Sequence, residues 1–311
     1  MPEKIKPLVS VTVITYNSSK YILETLDSIK AQTYKNIELI ISDDCSTDTT
    51  VNLCESWLNK NKTRFVNAYM VTTNVNTGIV GNKNRALEKC SGEWIKGIAG
   101  DDILLASGIS DNVTFALQHE FKLIFSKFEY LFDDKYPLAS KNKYNAEKNF
   151  SRFSSENQFC ELLKYNFVPA ATGFVQFDFL KNIGGYNPKY PMLEDYPLWL
   201  KATKNGYRLG FMDKVTVNYR IHDLSVSGNS NLPKVKNQKI INSRYYKSLR
   251  LFMKSELIPE QIKNKFYMQA YIKILFIMKS DLILRLGNKQ NMPTTLVSYL
   301  FKLINPNTYF K

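Results

Sequence analysis

Hydrophobic and polar residues alternate along the first hundred positions in a pattern typical of strands separated by helices. Residues 8–15 are apolar and rich in β-branched side chains, which predicts a buried strand. Ile22, Leu26 and Ile29 then recur at helical spacing and predict a helix over residues 21–31. Further strands are predicted at residues 37–42, 65–72 and 93–98, with one helix ending near residue 58 and another at residues 81–89. Strands joined by such helices imply βαβ crossovers, so we expect an α/β fold with a mostly parallel sheet.

The pattern changes twice in the rest of the chain. After residue 125 the alternation loosens, and residues 133–158 are polar and rich in lysine and asparagine, which predicts an irregular insertion. Beyond residue 231 there is little strand signal, and basic amphipathic helices are predicted instead. We therefore divide the chain into an α/β region, residues 1–230, and a helical C-terminal region, residues 231–311.

Two pairs of acidic residues directly follow predicted strands. Asp43 and Asp44 come after the second strand, and Asp101 and Asp102 come after the fourth. Open α/β sheets bind ligands at the carboxyl ends of their strands, so both pairs are expected at the same edge. Four carboxylates there repel one another unless a cation lies between them, and Mg²⁺ or Mn²⁺ carrying a diphosphate suits such ligands. Either pair taken alone is explained equally well as a turn that caps the next helix.

Positive charge is concentrated at the C-terminal end of the chain. The whole chain has a formal net charge of +14. Residues 231–311 hold 15 Lys and Arg against 3 Asp and Glu, a net of +12, which leaves +2 for residues 1–230. This asymmetry indicates an anionic partner for the C-terminal region, either nucleic acid or an anionic membrane surface.

Several protein classes do not fit the composition. The four cysteines are scattered without a C-x-x-C pair, so we expect reduced cytosolic thiols rather than a zinc site or a disulfide framework. The first seven residues lack the apolar segment of a signal peptide. The longest uncharged run, residues 65–82, is rich in Asn, Thr and Gly and is not expected to span a membrane. Together these features predict a cytoplasmic protein.

Five groups of residues, in order along the chain, resemble the motifs of family 2 glycosyltransferases with the GT-A fold. They are residues 9–17 with 32–48, residues 76–78 with Lys83 and Asn84, residues 91–104, residues 183–186 with 194–199, and residues 219–227. The resemblance covers residues 8 to about 228. It implies an open twisted sheet flanked by helices, with a nucleotide-sugar half at about residues 1–105 and an acceptor half at about residues 106–230.

The resemblance implies an inverting enzyme of the bacterial polysaccharide-biosynthesis type. Such an enzyme transfers a sugar from a nucleotide-diphosphate-sugar, with UDP-sugars favoured, to a hydroxyl of a glycan or lipid-linked glycan. The implied cofactor is Mn²⁺ or Mg²⁺. The Gln-x-x-Arg-Trp motif of processive polysaccharide synthases is absent from the sequence, which favours the addition of a single sugar.

The resemblance also implies a role for each matching residue. Residues expected to bind the nucleotide-sugar are Thr15, Tyr16 and Asn17 in the nucleotide pocket, Asp44 at the base, Lys83 near the phosphates, Asp101 on the ribose or metal side, and Arg220 in a loop over the diphosphate. The expected metal ligands are Asp102, Asp101 and His222, and the expected catalytic base is Asp195. Ala99 stands where the family often has another aspartate, which leaves metal binding to Asp101 and Asp102.

These roles agree with the chemistry of sugar transfer. A departing nucleoside diphosphate needs its charge neutralised, and a metal ion can do this as a Lewis acid. An acceptor hydroxyl is a poor nucleophile at neutral pH, so a carboxylate must take its proton during attack. A base and a metal on opposite sides of the anomeric carbon imply a single displacement with inversion.

Plainer structural interpretations stay open at the same positions. Asp195 would be favoured by the dipole in the first turn of a helix, and His222 would be a surface histidine. Lys83 and Arg85 would be solvated helix charges. Three large aromatic residues are expected in the core rather than as sugar-stacking platforms: Trp94, Phe174 and Trp199.

Two other functions are alternatives to sugar transfer. A sugar-nucleotide nucleotidylyltransferase would also use an α/β sheet and Mg²⁺, but it should have a Gly-rich basic loop after the first strand, and residues 16–19 are Tyr-Asn-Ser-Ser. A non-catalytic protein that binds nucleic acid or membrane would explain the basic C-terminal region but not the ordered acidic motifs.

The C-terminal region is predicted to bind a membrane surface rather than nucleic acid, because its aromatic residues lie at helical spacing. An amphipathic helix is expected from basic residues Lys263, Lys265, Lys273, Lys279 and Arg285 with apolar residues Phe266, Tyr271, Ile274, Leu275, Ile277, Leu282 and Leu286. Residues 294–304 form a second apolar stretch, too short to span a bilayer. The protein would then lie on the inner face of the membrane. The alternative is that these apolar faces pack on the catalytic region.

Overall fold

The computed structural model describes residues 6–132, 150–222 and 244–287, which form an eight-stranded sheet with helices on both faces. The strands are β1 (Val9–Thr15), β2 (Ile37–Asp43), β3 (Ala68–Val71), β4 (Trp94–Ala99), β5 (Ile103–Leu104), β6 (Leu123–Phe132), β7 (Phe174–Gln176) and β8 (Leu209–Ile221). The helices are α1 (Ile22–Lys30), α2 (Thr50–Asn61), α3 (Ile79–Leu87), α4 (Gly108–Gln118), α5 (Ser155–Lys164), α6 (Phe177–Asn182), α7 (Asp195–Lys204), α8 (Arg244–Phe252), α9 (Ile258–Lys263) and α10 (Tyr267–Gly287).

The sheet has the strand order β3-β2-β1-β4-β7-β6-β8-β5. Its first half is parallel throughout, since β1 pairs in parallel with both β2 and β4, and β2 with β3. The second half is mixed: β7 runs antiparallel to β4 and β6, whereas β6 and β8 are parallel. The expected open sheet with flanking helices is confirmed, and the antiparallel pairings all involve β7 or β5.

The strand register brings the two acidic pairs to one edge of the sheet. Thr15 at the end of β1 is opposite Asp43 of β2, and Ile14 is opposite Ala99 of β4. The chain therefore leaves three adjacent parallel strands at the same level. Asp44 and the Asp101–Asp102 pair follow those exits, which is the edge where open α/β sheets bind ligands.

Each face of the sheet is covered by its own hydrophobic core. Helices α1, α2 and α4 cover one face, where Trp94 and Phe174 stack with ring centroids 4.9 Å apart. Helices α5 and α7 cover the other face, with Trp199 buried among them. Trp94, Phe174 and Trp199 are thus core residues. Fully burying an aromatic or aliphatic side chain contributes about 1.5–3 kcal/mol, so these two layers hold the ligand-binding edge in place.

The C-terminal helices pack against the second core. The ring of Phe252 lies against Tyr190 and Tyr196, with centroids 5.4 and 5.2 Å away. Gln261 Nε2 donates a hydrogen bond to the carbonyl oxygen of Leu163 at 2.6 Å. Helix α8 continues through a π-helical segment, Met253–Leu257, into α9. The described part of the C-terminal region therefore adds a further helical layer to the α/β region.

The predicted amphipathic helix exists, but it has two different apolar faces. Phe266 and Ile277 pack toward the core, whereas Tyr271 and Ile274 are exposed. Among the described residues no helix is long and apolar enough to cross a membrane. Several predictions lie outside the described residues or side chains: the insertion at 133–149, the motif residues 223–227, the stretch 294–304, and the side chains of Lys279, Leu282, Arg285 and Leu286.

Candidate active site

The first acidic pair organises the loops after β1 and β2. Asp43 Oδ2 accepts a hydrogen bond from Thr15 Oγ1 at 2.7 Å, and its Oδ1 accepts one from the backbone N–H of Ser46 at 2.8 Å. Asn17 has a φ of 50°, and its Oδ1 accepts a hydrogen bond from the Thr47 N–H at 2.8 Å. Asp43 therefore shapes a turn, and the predicted nucleotide-pocket residues Thr15 and Asn17 lie in this network.

Asp44 is buried and fixes a more distant turn. Its Oδ1 accepts hydrogen bonds from the backbone N–H and the Oγ1 of Thr77, at 3.0 and 2.6 Å, and its Oδ2 accepts one from the Gly78 N–H at 2.7 Å. Arg85 forms a salt bridge with the same carboxylate at 3.2 Å. Asp44 is predicted to bind the nucleotide base, but its carboxylate already holds the turn at residues 76–78. A contact with the nucleotide base would use the same carboxylate. Tyr16, half-exposed beside it, is free to face a ligand.

Gly78 is the point where three distant segments meet. Its φ is +87°, and a Cβ atom there would lie 2.7 Å from the carbonyl oxygen of Pro191 and 3.1 Å from the guanidinium of Arg244. A side chain at this position would be strained and would clash with backbone. The tight approach lets the turn held by Asp44 contact the segment that leads to Asp195.

The second acidic pair lies with Arg220 and His222, as the sequence predicts. Asp102 is buried, and its Oδ1 accepts a hydrogen bond from the backbone N–H of Arg220 at 2.9 Å. Asp101 Oδ2 is 2.9 Å from His222 Nε2, and the Asp101 carbonyl accepts a hydrogen bond from Arg220 Nε at 2.7 Å. Burial, and then the neighbouring charge of Asp101, raise the pKa of Asp102 well above its usual range.

These residues fit a divalent cation that is completed by a substrate. Two adjacent carboxylates, one of them buried, are a site that positive charge would stabilise. Within the described residues no cluster of three or more His, Cys, Asp or Glu side chains forms a preformed metal site. Mg²⁺ and Mn²⁺ accept such sparse protein ligation when phosphate oxygens and water supply the other ligands, whereas a structural zinc site does not.

Arg220 is held firmly beside this pair. Its guanidinium lies over the ring of Tyr21 at 4.5 Å, and its Nη2 forms a salt bridge with Glu24 at 2.7 Å. The Tyr21 ring also contacts the His222 ring, with centroids 4.9 Å apart. Helix α1 thus orients both predicted diphosphate-loop residues, a contact for which the motifs gave no signal.

Asp195 forms a second centre at the start of α7. The carboxylate is partly buried and accepts a hydrogen bond from Asn166 Nδ2 at 2.8 Å. Burial, and then the charge of Glu194, raise the pKa of Asp195 to about 6. A carboxylate with this pKa is ionised at neutral pH yet more basic than an ordinary aspartate, which suits a general base.

Lys83 lies in this second centre. Its ammonium forms a salt bridge with Glu194 at 2.8 Å and lies 5.0 Å from the centroid of the Tyr186 ring. Burial is the largest single influence and would lower the pKa of Lys83, but the effects of Glu194, Tyr186 and Asp195 together outweigh it, so the pKa is raised. The predicted role of Lys83 near the phosphates stays a prediction. The partner that the structure shows is Glu194, the residue before Asp195.

A small cleft connects these side chains to the middle of the sheet. Its lining residues include Lys83, Gly97, Ala170, Gly173, Tyr186, Glu194, Asp195 and Trp199. The indole N–H of Trp199 is buried and has no hydrogen-bond partner within the described part of the chain.

The sequence profile of the family described as "Glycosyl transferase family 2" matches residues 10–184, which is more than half of the chain. The chain belongs to this family. The interpretation of the protein as a glycosyltransferase is thereby confirmed.

Curated relatives agree with this assignment. The glycosyltransferase is 29% identical over 238 residues to WfaP of Escherichia coli, named a UDP-Glc:alpha-D-GlcNAc-diphosphoundecaprenol beta-1,3-glucosyltransferase, covering 76% of this chain and 86% of WfaP. It is 25% identical to TuaG of Bacillus subtilis, named a putative teichuronic acid biosynthesis glycosyltransferase, covering 72% of this chain and 83% of TuaG.

Solved structures show the same fold. The crystal structure of residues 1–349 of TarS from S. aureus, in complex with UDP-GlcNAc, superposes with a TM-score of 0.58 at 22% identity and covers 81% of this chain. The glycosyltransferase spans 66% of that TarS chain and 39% of the chain in another TarS structure. This similarity confirms the GT-A fold.

The sequence motifs missed a buried lysine of this glycosyltransferase. Lys96 in β4 is fully buried, and its ammonium donates a hydrogen bond to the carbonyl oxygen of Ala171 at 2.7 Å. Burial lowers the pKa of Lys96 to about 7, although the charge of Asp102 acts in the opposite direction. A single lysine inside an apolar strand was the available signal. Its hydrogen bond connects the turn at Ala170–Thr172, which lines the cleft, to strand β4.

The motifs also missed helix α8, which contacts the turn held by Asp44 and the segment before Asp195. Arg244 donates hydrogen bonds to the side-chain and main-chain oxygens of Asn76, in the turn held by Asp44. Ser248 Oγ accepts a hydrogen bond from the Met192 N–H at 3.2 Å, three residues before Asp195. Burial, and then the charge of Asp195, raise the pKa of Tyr245, so this phenol lies within electrostatic reach of Asp195.

Proposed function

We propose that this glycosyltransferase moves a single sugar from a nucleotide-diphosphate-sugar, with a UDP-sugar favoured, to a hydroxyl of a glycan acceptor with inversion. The observation that carries this proposal is Asp195, a partly buried carboxylate with a pKa of about 6 in a cleft that Lys83 and Gly97 also line. At the ligand-binding edge of the sheet, the Asp101–Asp102 pair is suited to bind a cation that neutralises the diphosphate of the donor. A single displacement requires a base for the acceptor hydroxyl and neutralisation of the departing diphosphate. Asp195 and the Asp101–Asp102 pair would meet these two requirements.

Asp195 is the proposed general base. The acceptor hydroxyl loses its proton to the Asp195 carboxylate as its oxygen attacks the anomeric carbon and the bond to the diphosphate breaks. Asn166 orients the carboxylate through the hydrogen bond to its Oδ2. The Lys83 ammonium pairs with Glu194, and its charge lowers the pKa of Asp195, which offsets part of the repulsion from Glu194.

Asp102 and Asp101 are the proposed ligands of Mg²⁺ or Mn²⁺, with His222 as a further candidate. A bound metal ion would supply Lewis-acid neutralisation of the departing diphosphate. Arg220, fixed by Glu24 and Tyr21, adds a guanidinium beside the same carboxylates. Thr15, Tyr16, Asn17 and Asp44 are the proposed nucleotide-binding residues at the neighbouring strand ends.

The proposed acceptor is a lipid-linked glycan, and the proposed place of action is the inner face of the cytoplasmic membrane. Support comes from WfaP, whose name specifies UDP-Glc as donor and a diphosphoundecaprenol-linked GlcNAc as acceptor. The TarS structure with UDP-GlcNAc supports a UDP-sugar donor on the same fold. Nucleic acid is not a proposed partner.

Product analysis tests the proposal. The purified protein is incubated with individual UDP-sugars, Mn²⁺ and GlcNAc linked by a diphosphate to a short polyprenol. We expect one donor to give UDP and a product one sugar longer, with inverted anomeric configuration. Release of pyrophosphate from a nucleoside triphosphate and a sugar phosphate would instead indicate a nucleotidylyltransferase. Retained configuration at the transferred sugar would exclude the single displacement.

A further inference from the structure

Helix α10 carries an apolar face that the described part of the chain leaves exposed. Its inward side packs into the core through residues such as Ala270, Phe276 and Ile277. On the outer side five large apolar side chains are between 38% and 67% exposed: Tyr267, Met268, Tyr271, Ile274 and Met278. Four of them follow one another at spacings of four, three and four residues, which places them in a single line along the helix.

This outer face contains no charged side chain among its described exposed positions. Up to Asp281, which is half-buried and paired with Arg250, every described residue of α10 in the exposed class is apolar. A helix that faces water normally presents polar residues on its outer side. A contiguous exposed apolar surface of this kind marks a site of interaction with a membrane or another macromolecule.

The charge around the face selects the occupant. Lys263 and Lys265 are exposed immediately before α10, and Lys247 is exposed on α8. Residues 231–311 carry a net charge of +12, so two copies of this region would repel each other. An anionic lipid surface attracts the same charges, and each lysine near it strengthens binding by about fivefold. Tyrosine also suits the boundary between apolar chains and water, because its ring is apolar and its hydroxyl is polar.

We propose that the outer face of α10 docks on an anionic phospholipid surface, with the helix lying in the plane of the interface. Tyr271 and Ile274 would enter the acyl boundary, and the lysines before the helix would contact headgroup phosphates. The inference deepens the place of action given under the proposed function by naming the surface that meets the membrane. It depends on neither the sugar nor the acceptor.

Vesicle co-sedimentation of the full chain tests this surface. The vesicles are phosphatidylcholine alone or phosphatidylcholine with about 30% phosphatidylglycerol. We expect at least about tenfold stronger binding to the anionic vesicles, weakened by added salt. The double variant Tyr271→Ser with Ile274→Ser should lose about tenfold in that binding, since it removes two apolar side chains from the interface.

A matched control replaces two exposed apolar residues outside the C-terminal helices. Tyr69→Ser with Val75→Ser, at and after strand β3, should bind vesicles as the unsubstituted protein does. Circular dichroism checks that both variants fold, and UDP release measured without vesicles reports separately on the proposed function.

Three outcomes would overturn the docking surface. They are equal binding to both kinds of vesicle, unchanged binding of the Tyr271/Ile274 variant, or a dimer in solution that this variant converts to monomer. The last result would assign the face to a second copy of the chain. Absence of UDP release with normal vesicle binding would instead contradict the proposed function alone.

Discussion

Asp195 shows how position and environment act in opposite directions on one carboxylate. The first position of α7 places it where the helix dipole favours negative charge. Burial and the adjacent Glu194 outweigh that effect and raise its pKa to about 6. The side chain is therefore ionised at neutral pH and becomes protonated only a little below it.

The Asp195→Asn variant should lose about 10²–10⁴-fold in turnover, because the amide cannot accept the hydroxyl proton. Donor affinity should change little. In the unsubstituted protein, turnover should fall as the pH decreases through about 6, since protonation of Asp195 removes the base. Steady-state rates across pH, with UDP binding by calorimetry, measure both effects. Asp178→Asn, an exposed carboxylate paired with Lys181, is the control. A fall in UDP affinity matching the loss of turnover would reassign Asp195 to donor binding.

The Asp102→Asn variant should lose nearly all transfer and the metal-dependent part of UDP binding. The physical reason is that this buried carboxylate has an unfavourable charge that only a cation relieves. Titration of UDP with and without Mn²⁺ distinguishes this from a general loss of fold. Full activity of the unsubstituted protein in excess chelator would refute the metal role.

Sequence motifs located the two centres but not the contacts within them. Asp101 and Asp102 follow β4, whereas Arg220 and His222 lie at the end of β8, which pairs antiparallel with β5 just after the acidic pair. The resemblance to family motifs, not strand periodicity, placed these four residues together. The partner of Lys83 was not predictable, because Glu194 is 111 residues away and meets it only through packing of α3 against the segment before α7.

At the scale of elements, β4 contains an unusual charge. Lys96 lies in a central strand and hydrogen-bonds only to carbonyl oxygens. Its pKa in the folded protein is about 7, against 10.5 for an unperturbed lysine. Between these values the unfolded chain binds a proton that the folded protein does not, so the free energy of unfolding should rise with pH.

The Lys96→Met variant should remove this contribution. From pH 7 to 9 its unfolding free energy should rise less steeply than that of the unsubstituted protein, by at most about 1.4 kcal/mol per pH unit. Urea unfolding without metal at several pH values measures the difference. Parallel slopes would mean that Lys96 stays charged in the fold. Lys122→Met, a lysine just before β6, controls for the loss of an amine elsewhere.

Elements with strong local patterns were predictable, whereas those that depend on pairing were not. The first three strands and their helices follow from apolar periodicity alone. β7 is three residues long and β5 two, so neither gives a periodic signal, and both exist because neighbouring strands pair with them. The sequence pattern did not distinguish the core-facing side of α10 from its exposed side, because apolar residues occur on nearly every side of the helix.

At the scale of the whole molecule, the C-terminal helices share a core with the α/β region. Phe252, Leu257, Ile258 and Ala270 belong to the same cluster as residues of α5 and α7. The boundary at residue 230 stays a prediction for the chain, but the packing indicates that the two regions fold together.

A protein ending after residue 243 should therefore be insoluble or melt well below one ending after residue 287. Each buried side chain removed costs about 1.5–3 kcal/mol, and several together exceed the net stability of about 5–15 kcal/mol typical of a domain. Thermal unfolding of the two truncated proteins, followed by circular dichroism, makes the comparison. Equal melting temperatures would show that residues 1–243 fold independently.

The hydrogen bonds of helix α8 bear on how such enzymes can be recombined. Arg244 holds Asn76, and Ser248 holds the backbone of Met192, so one helix contacts both the turn held by Asp44 and the loop before Asp195. If the C-terminal region were exchanged for that of a relative, the hydrogen bonds that hold these two loops would change. To keep them, residues 76–78 and 191–193 would have to be exchanged as well. We therefore expect that residues 76–78, residues 191–193 and helix α8 must be exchanged together, although at least fifty residues separate each from the next.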